Sequence, residues 1–182
     1  MTVSAVSPGP PPGIAQDRFK QVFRRHPGGV VVVTVDAGRG PAGFTATSLT
    51  SVSLNPPLVS FAIAGTSSSW PHVEAARTAV VHFLDAGQEA LARRFATHGA
   101  DRFAAPTKWR PLATGEPLLD GVAGWLRLGI EQLVPAGDHH LVVARVVDAW
   151  VDTGRDPLLF HDGAYHPLRT RTDLGHALPH HA

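Results

Sequence analysis

At 182 residues the chain is the size of one domain, and with 43% hydrophobic and 17% charged residues its composition is globular rather than disordered. The absence of cysteine removes disulfides, thiolate metal sites, cysteine nucleophiles and dithiol redox centres together, so any redox chemistry belongs to a bound cofactor. A formal net charge of +1 gives no broad basic field and argues against a nucleic-acid partner. The longest apolar stretch, Gly29 to Val35, is far too short to cross a bilayer, and nothing near Met1 follows the pattern of a secretory signal. The expected setting is cytoplasmic, with no membrane association.

Residues 1–13 end in Pro8-Gly9-Pro10-Pro11-Pro12-Gly13 and read as a loose arm. Ala15, Phe19, Val22 and Phe23 recur at helical spacing and predict a short amphipathic helix ending before Pro27-Gly28-Gly29. Strand-like runs then dominate: Val30 to Val35, Phe44 to Leu54, Leu58 to Ala64, Thr78 to Leu84, Trp125 to Leu133 and His139 to Val151. Two helices interrupt them, from about Ser69 to Arg77 and from about Gln88 to His98. Gly137-Asp138 predicts one hairpin turn, and Asp162-Gly163 a second between Leu158-Leu159-Phe160 and Ala164-Tyr165. Residues 170–182, with His176, His180 and His181, read as a flexible solvated tail. The folded domain is therefore expected over 14–169, mainly β with a few helices, as a closed or nearly closed barrel.

Gly38-Arg39-Gly40-Pro41-Ala42-Gly43 matches the glycine fingerprint of dinucleotide-binding folds, but that fingerprint needs a helix to start inside it. Here a poor helix former follows, so a glycine-rich hairpin loop is expected instead. The next segment is more informative. Thr45, Thr47, Ser48, Thr50, Ser51 and Ser53 place six hydroxyls in nine residues before Asn55-Pro56-Pro57 stops the strand. Two readings stand: an exposed strand edge, or hydroxyls and free amides that read the carbonyl and imide edge of a flat heterocycle.

Ser67-Ser68-Ser69 precedes Trp70-Pro71-His72, with Pro71 in a first-turn position. Ser69 is expected to N-cap the helix, and the remaining hydroxyls to sit where a phosphate is stabilised. Arg93, Arg94 and Arg102 are the candidates for the opposing charge, each equally able to be a plain surface residue.

The stretch from Gly43 to Val59 closely resembles the signature of the flavin reductase-like family, the split-barrel reductases that supply reduced flavin to two-component monooxygenases. Pro27 to Thr34, Asp101-Arg102-Phe103 and Gly137-Asp138-His139 match further family pieces in order, so the likeness covers about Phe19 to Leu168. The resemblance implies a split β-barrel homodimer that holds FMN or FAD without a covalent bond and takes NADH or NADPH as its hydride-donating substrate. It places Thr45, Ala46, Thr47, Ser48 and Leu49 against the flavin ring and ribityl, Ser67, Ser68 and Ser69 at the phosphate, and Arg102 and Phe103 close by. His139 would line the nicotinamide side as the catalytic candidate, positioning and polarising rather than acting as an essential base. Its alternative is a turn residue bonded to Asp138, while His140 is expected to be surface or sheet packing. Leu49 stands where an aromatic is common and His161 where a tyrosine often precedes the last turn, which bears on ring packing and nucleotide preference.

The chemistry implied is hydride transfer from nicotinamide C4 to flavin N5, for which the protein mainly stacks two rings and excludes water. Three other readings compete. A flavin-storing or haem-handling split-barrel protein would keep the fold without turnover. An oxidase of the pyridoxamine-phosphate type would need more basic residues than this chain has. A histidine-based metal enzyme lacks a spaced ligand pair inside any predicted element.

Overall fold

The computed structural model describes residues 13–168; apart from Gly13, the loose ends expected at 1–13 and 170–182, with their histidines, lie outside the described residues. The elements run α1 Gln16–Phe23, β1 Gly28–Gly29, β2 Val31–Val35, β3 Ala42–Ala46, β4 Thr50–Leu54, β5 Pro57–Ala64, α2 Trp70–Ala75, β6 Thr78–Phe83, α3 Glu89–Ala96, β7 Trp109–Pro111, β8 Pro117–Leu119, β9 Gly124–Ala136, β10 His139–Val151, β11 Leu158–His161 and β12 Ala164–Pro167. Seven of these strands form one antiparallel sheet in the order β3-β2-β6-β9-β10-β5-β4. Among the described residues no helix is long and apolar enough to cross a membrane.

That order explains the barrel. The edge strands β3 and β4 are consecutive in the chain, joined only by Thr47-Ser48-Leu49. From Ala46 to Thr50 the chain can span at most about 14 Å, so a sheet of seven strands must curl until its two edges face each other. The sheet stays unclosed, because no ladder joins β3 to β4, and the result is a split barrel.

Chain pattern and packing agree along β2. All of its residues are buried, and alternation sends Val31, Val33 and Val35 into the barrel core with Phe44, Phe61, Ile63, Val81 and Leu128. Val30 and Val32 face a second cluster with Leu84, Phe95, Leu119 and Leu158, under α3 and the short hairpins. A strand buried on both faces reads as an unbroken β-branched run.

The structure corrects several expectations. Phe44 to Leu54 is not one strand: Ala46 ends the ladder with β2 and Thr50 begins the ladder with β5, so Thr47–Leu49 belong to neither. The 38–43 glycine run is the expected hairpin loop between β2 and β3, with Gly38 and Gly40 at φ 78° and 93°. The hairpin β7–β8 had no distinct sequence signal. α1 forms as expected, yet none of its residues is buried, and Phe19, Val22 and Phe23 keep more than half their surface exposed.

Candidate functional site

Thr45, Ala46, Thr47, Ser48, Ser67, Arg102 and His139 line one groove of about 400 Å³, closed by Phe44, Ala62–Ala64, Phe95 and Ala96. These residues are distant in sequence. The barrel gathers them because β5 and the start of β10 are ladder neighbours, with His139 opposite Ala64 on one side and Ala136 on the other. Small neighbours on both sides leave the space beside the imidazole open.

α3 forms a wall through close backbone contact. A Cβ on Gly43 would fall 2.7 Å from the Val33 carbonyl oxygen and 3.0 Å from Phe95 Cε1, so only glycine lets α3 lie this tightly on β3. Thr45 Oγ1 then donates to the Ala92 carbonyl of α3 at 2.6 Å. Ser48 Oγ accepts from the Ala62 amide at 2.9 Å and holds the β3–β4 link against β5. Two of the six hydroxyls, Thr45 and Ser48, are thus engaged in architecture. The backbone of Thr47 and Ser48 lies outside both ladders and lines the groove. Leu49 packs its side chain against the barrel core and, with Thr47 and Ser48, also lines a neighbouring cleft of about 610 Å³ beneath α1 that contains His161.

The second cluster behaves differently. Ser69 occupies the residue before α2 but makes no capping bond, contrary to expectation. Its backbone is already helical at φ −86°, ψ −13°, a conformation that turns the side chain away from the N2 and N3 amides. Instead the buried Ser69 Oγ donates to the Gly43 carbonyl at 2.9 Å and accepts from Arg102 Nη1 at 3.1 Å. The same Nη1 reaches Ser68 Oγ at 3.3 Å, and Nη2 donates to the Thr97 carbonyl at 3.0 Å. Ser67 Oγ accepts from the Ser69 amide at 3.2 Å.

Of the three candidate arginines, only Arg102 meets the serines. Arg93 pairs with Glu89 at 2.7 Å and lies over the Tyr165 ring. Arg94 ties down the carbonyls of Asp101, Ala104 and Ala105 at 3.0–3.3 Å. Arg102 has five N–H donors, and its buried Nε has no partner. Burial lowers its pKa from the ordinary arginine value, yet guanidinium stays charged at neutral pH. Asp101 does not neutralise it through the loop: its Oδ1 accepts the Phe103 and Ala104 amides at 3.2 and 3.0 Å. Phe103 packs its ring edgewise against Phe95 and Trp109, with centroids 5.3 and 5.2 Å away, and so supports the groove wall.

His139 Nδ1 sits 2.7 Å from Asp138 Oδ1. That bond holds the Asp138 carboxyl below its ordinary pKa and, with Nδ1 carrying the proton, leaves Nε2 as the ring nitrogen open to a ligand. His139 is bonded to its turn neighbour and also lines the groove. His140, on the opposite face of β10, stacks on Trp70 with centroids 3.7 Å apart at 9°. His72 is the residue sequence reasoning missed. It follows Ser69 by one helical step on the same face, lines a smaller cavity with Ser68, Ser69 and Arg102, and keeps a buried Nδ1 without a partner.

A flat ligand with an anionic tail fits these residues: an open groove with free backbone at one end, and a serine-braced guanidinium at the other. Comparison with known proteins agrees. Residues 23–169 match the flavin reductase like domain. The chain is 47% identical over 166 residues to an NADH:FMN oxidoreductase of Rhodococcus erythropolis, covering 89% of this chain and 86% of that one. A Streptomyces globisporus NADH:FAD oxidoreductase, solved with NAD and FAD fragments, superposes with a TM-score of 0.79 at 36% identity, covering 85% of this chain and 93% of that one. The flavin reductase component of a bacterial two-component tryptophan halogenase superposes with a TM-score of 0.78 at 31% identity, covering 86% and 100%.

Proposed function

The chain belongs to the flavin reductase-like family, and from that premise we propose that it is an NAD(P)H:flavin oxidoreductase whose flavin ring lies along Thr45–Ser48 with its phosphate at Ser67–Ser69 and Arg102. The observation that carries this is Arg102, a guanidinium lining the groove and braced by two serine hydroxyls and a carbonyl. A flavin phosphate would accept from the guanidinium donors that those three bonds leave over. When bound, FMN or FAD takes up a hydride from the nicotinamide, which neither the groove's side chains nor any cysteine could do.

The protein's own part is binding and orientation. Thr45 and Ser48, fixed on Ala92 and Ala62, hold the β3–β4 link rigid, so its amides face a ring without rearrangement. Arg102 neutralises the phosphate. His139, steadied by Asp138, presents Nε2 to the carboxamide of the incoming nicotinamide and positions it.

The assembly we propose is a homodimer. Phe19, Val22 and Phe23 of α1 and Val52 and Leu54 of β4 expose apolar surface that a second copy would cover. NADH is the preferred donor and the cytoplasm, where that nucleotide is held, the setting. The reduced flavin is handed to a separate oxygenase component.

An anaerobic absorbance titration tests the reading. The oxidised band of FMN or FAD should bleach in stoichiometric NADH with wild type, and slow at least about ten-fold in His139→Ala, while flavin affinity stays within about three-fold. A rate no faster than free flavin with NADH would make the chain a storage protein instead.

A further inference from the structure

The chain leaves α3 after Ala96, and two arginines bring it back. Arg102 reaches from the loop to the helix end, donating from Nη2 to the Thr97 carbonyl at 3.0 Å. Arg94, in the last turn of α3, reaches the other way. Its Nη1 donates to the carbonyls of Asp101, Ala104 and Ala105 at 3.3, 3.0 and 3.3 Å. Among the described residues these are the hydrogen bonds that join the 98–105 loop to α3 and its cap, three from Arg94 and one from Arg102. The carbonyls that Arg94 holds flank Arg102 in the chain, one just before it and two just after.

The other fixings are of a different kind. Asp101 Oδ1 takes the Phe103 and Ala104 amides, and Trp109 Nε1 donates to the Phe103 carbonyl at 3.1 Å, which shapes the loop from within or from beyond it. Phe103 rests its ring edge on Phe95 and Trp109, an apolar contact that leaves the loop backbone free to shift. Arg94 is half-buried, and Glu89, the acidic residue of α3, pairs with Arg93 instead. Its charge is therefore turned on neutral carbonyls, where a charge-assisted hydrogen bond is stronger than an ordinary one. Arg94 lines neither the groove nor the smaller cavity beside Ser69.

We propose that Arg94 is a positioning residue for the flavin phosphate, holding the 101–105 loop so that the Arg102 guanidinium stays on Ser68 and Ser69. The inference rests on the flavin reading of the groove. A long cationic side chain that is already ordered meets an anion without the entropy loss of being fixed at that moment. Without Arg94 the cation is still present but no longer held, so phosphate affinity falls by less than removing Arg102 itself would cause. The ring end of the groove is fixed separately, by Thr45 on Ala92 and Ser48 on Ala62. Loss of Arg94 is therefore felt by a flavin that carries a phosphate and not by one that lacks it.

The test is titration of FMN and of riboflavin, which has no phosphate, into wild type, Arg94→Ala, Arg94→Lys, Arg102→Ala and the double alanine variant. Arg94→Ala should weaken FMN by about ten-fold and riboflavin by less than about two-fold. Arg94→Lys, which keeps a cation with three donors, should recover most of the loss. In the Arg102→Ala background, Arg94→Ala should weaken FMN by less than about two-fold further, because the group it positions is gone. Equal losses for FMN and riboflavin, or additive losses in the double variant, would make Arg94 a plain structural brace and overturn the inference. An Arg94→Ala protein that bound FMN as wild type does would overturn it too. If Arg102→Ala itself treated FMN and riboflavin alike, the phosphate assignment would fall first, and this inference with it.

Discussion

Two regions of this molecule bury polar groups, one beside the 116–119 segment and one at the groove. At the first, Thr34 Oγ1 donates to the Pro117 carbonyl at 2.6 Å. His82 uses both ring nitrogens, Nδ1 on the Val32 carbonyl at 3.1 Å and Nε2 accepting the Leu119 amide at 3.0 Å. Glu116, with no exposure, accepts Arg127 Nε at 3.0 Å and the Thr114 hydroxyl. Arg102 lines the groove and His72 the smaller cavity beside it, and each keeps a nitrogen that no protein atom meets. His82 and Glu116 are fully buried and paired, whereas Arg102 and His72 are half-buried and each keeps one nitrogen unpaired. A fully paired buried polar group fixes a strand in place; a half-buried guanidinium with donors to spare can meet a ligand.

The contrast can be broken most directly at Glu116. Burial pushes this carboxyl up, but hydrogen bonds from Thr114, Thr78 and Arg127 outweigh it and hold the pKa below the ordinary value. Glu116→Ala leaves the Arg127 guanidinium and the Thr114 hydroxyl without their partner, and should lower stability by about 3 kcal/mol. Urea unfolding should show this loss, with flavin affinity of the folded protein unchanged. A fall in flavin affinity would mean the two regions are coupled.

His82 supplies the pH test. Burial lowers its pKa from 6.5 to about 4, against a smaller opposing effect of the Val32 carbonyl. Below pH 6.5 the unfolded chain takes up a proton that the folded chain refuses. The His82 contribution is therefore complete above 6.5 and shrinks as pH falls toward 4, by up to about 3 kcal/mol. Urea midpoints measured across that range should fall, and the slope should flatten in His82→Gln. An unchanged slope in the variant would show that His82 is not the group responsible.

The smallest change in stability belongs to the groove. Arg102→Ala removes three hydrogen bonds of a half-buried side chain, so the melting temperature should fall by only about 2–4 °C while flavin affinity drops by about 30-fold. A large loss of stability with little loss of affinity would reverse the comparison and make Arg102 a brace for Ser68 and Ser69.

Much of the fold was legible along the chain. Unbroken β-branched residues marked β2 as buried on both faces, and Asp162-Gly163 marked a hairpin whose residues take φ 48° and 83°. The hydroxyl clusters identified the right segments but not their roles. Thr45 and Ser48 were expected to read a ligand, yet their hydroxyls hold α3 and β5. Ser69 was expected to cap α2, yet it holds Gly43 and Arg102.

By itself, then, the sequence determined local geometry and the kind of chemistry available: periodicity and turn residues act over a few positions, and composition excluded a thiol centre. Only the tertiary structure decided that Thr47–Leu49 must leave both ladders, which arginine meets the serines, and that His72 stands beside them. Each of those outcomes depends on the seven-stranded sheet curling until its edges meet, a constraint set by the whole sheet and carried by no single stretch of chain.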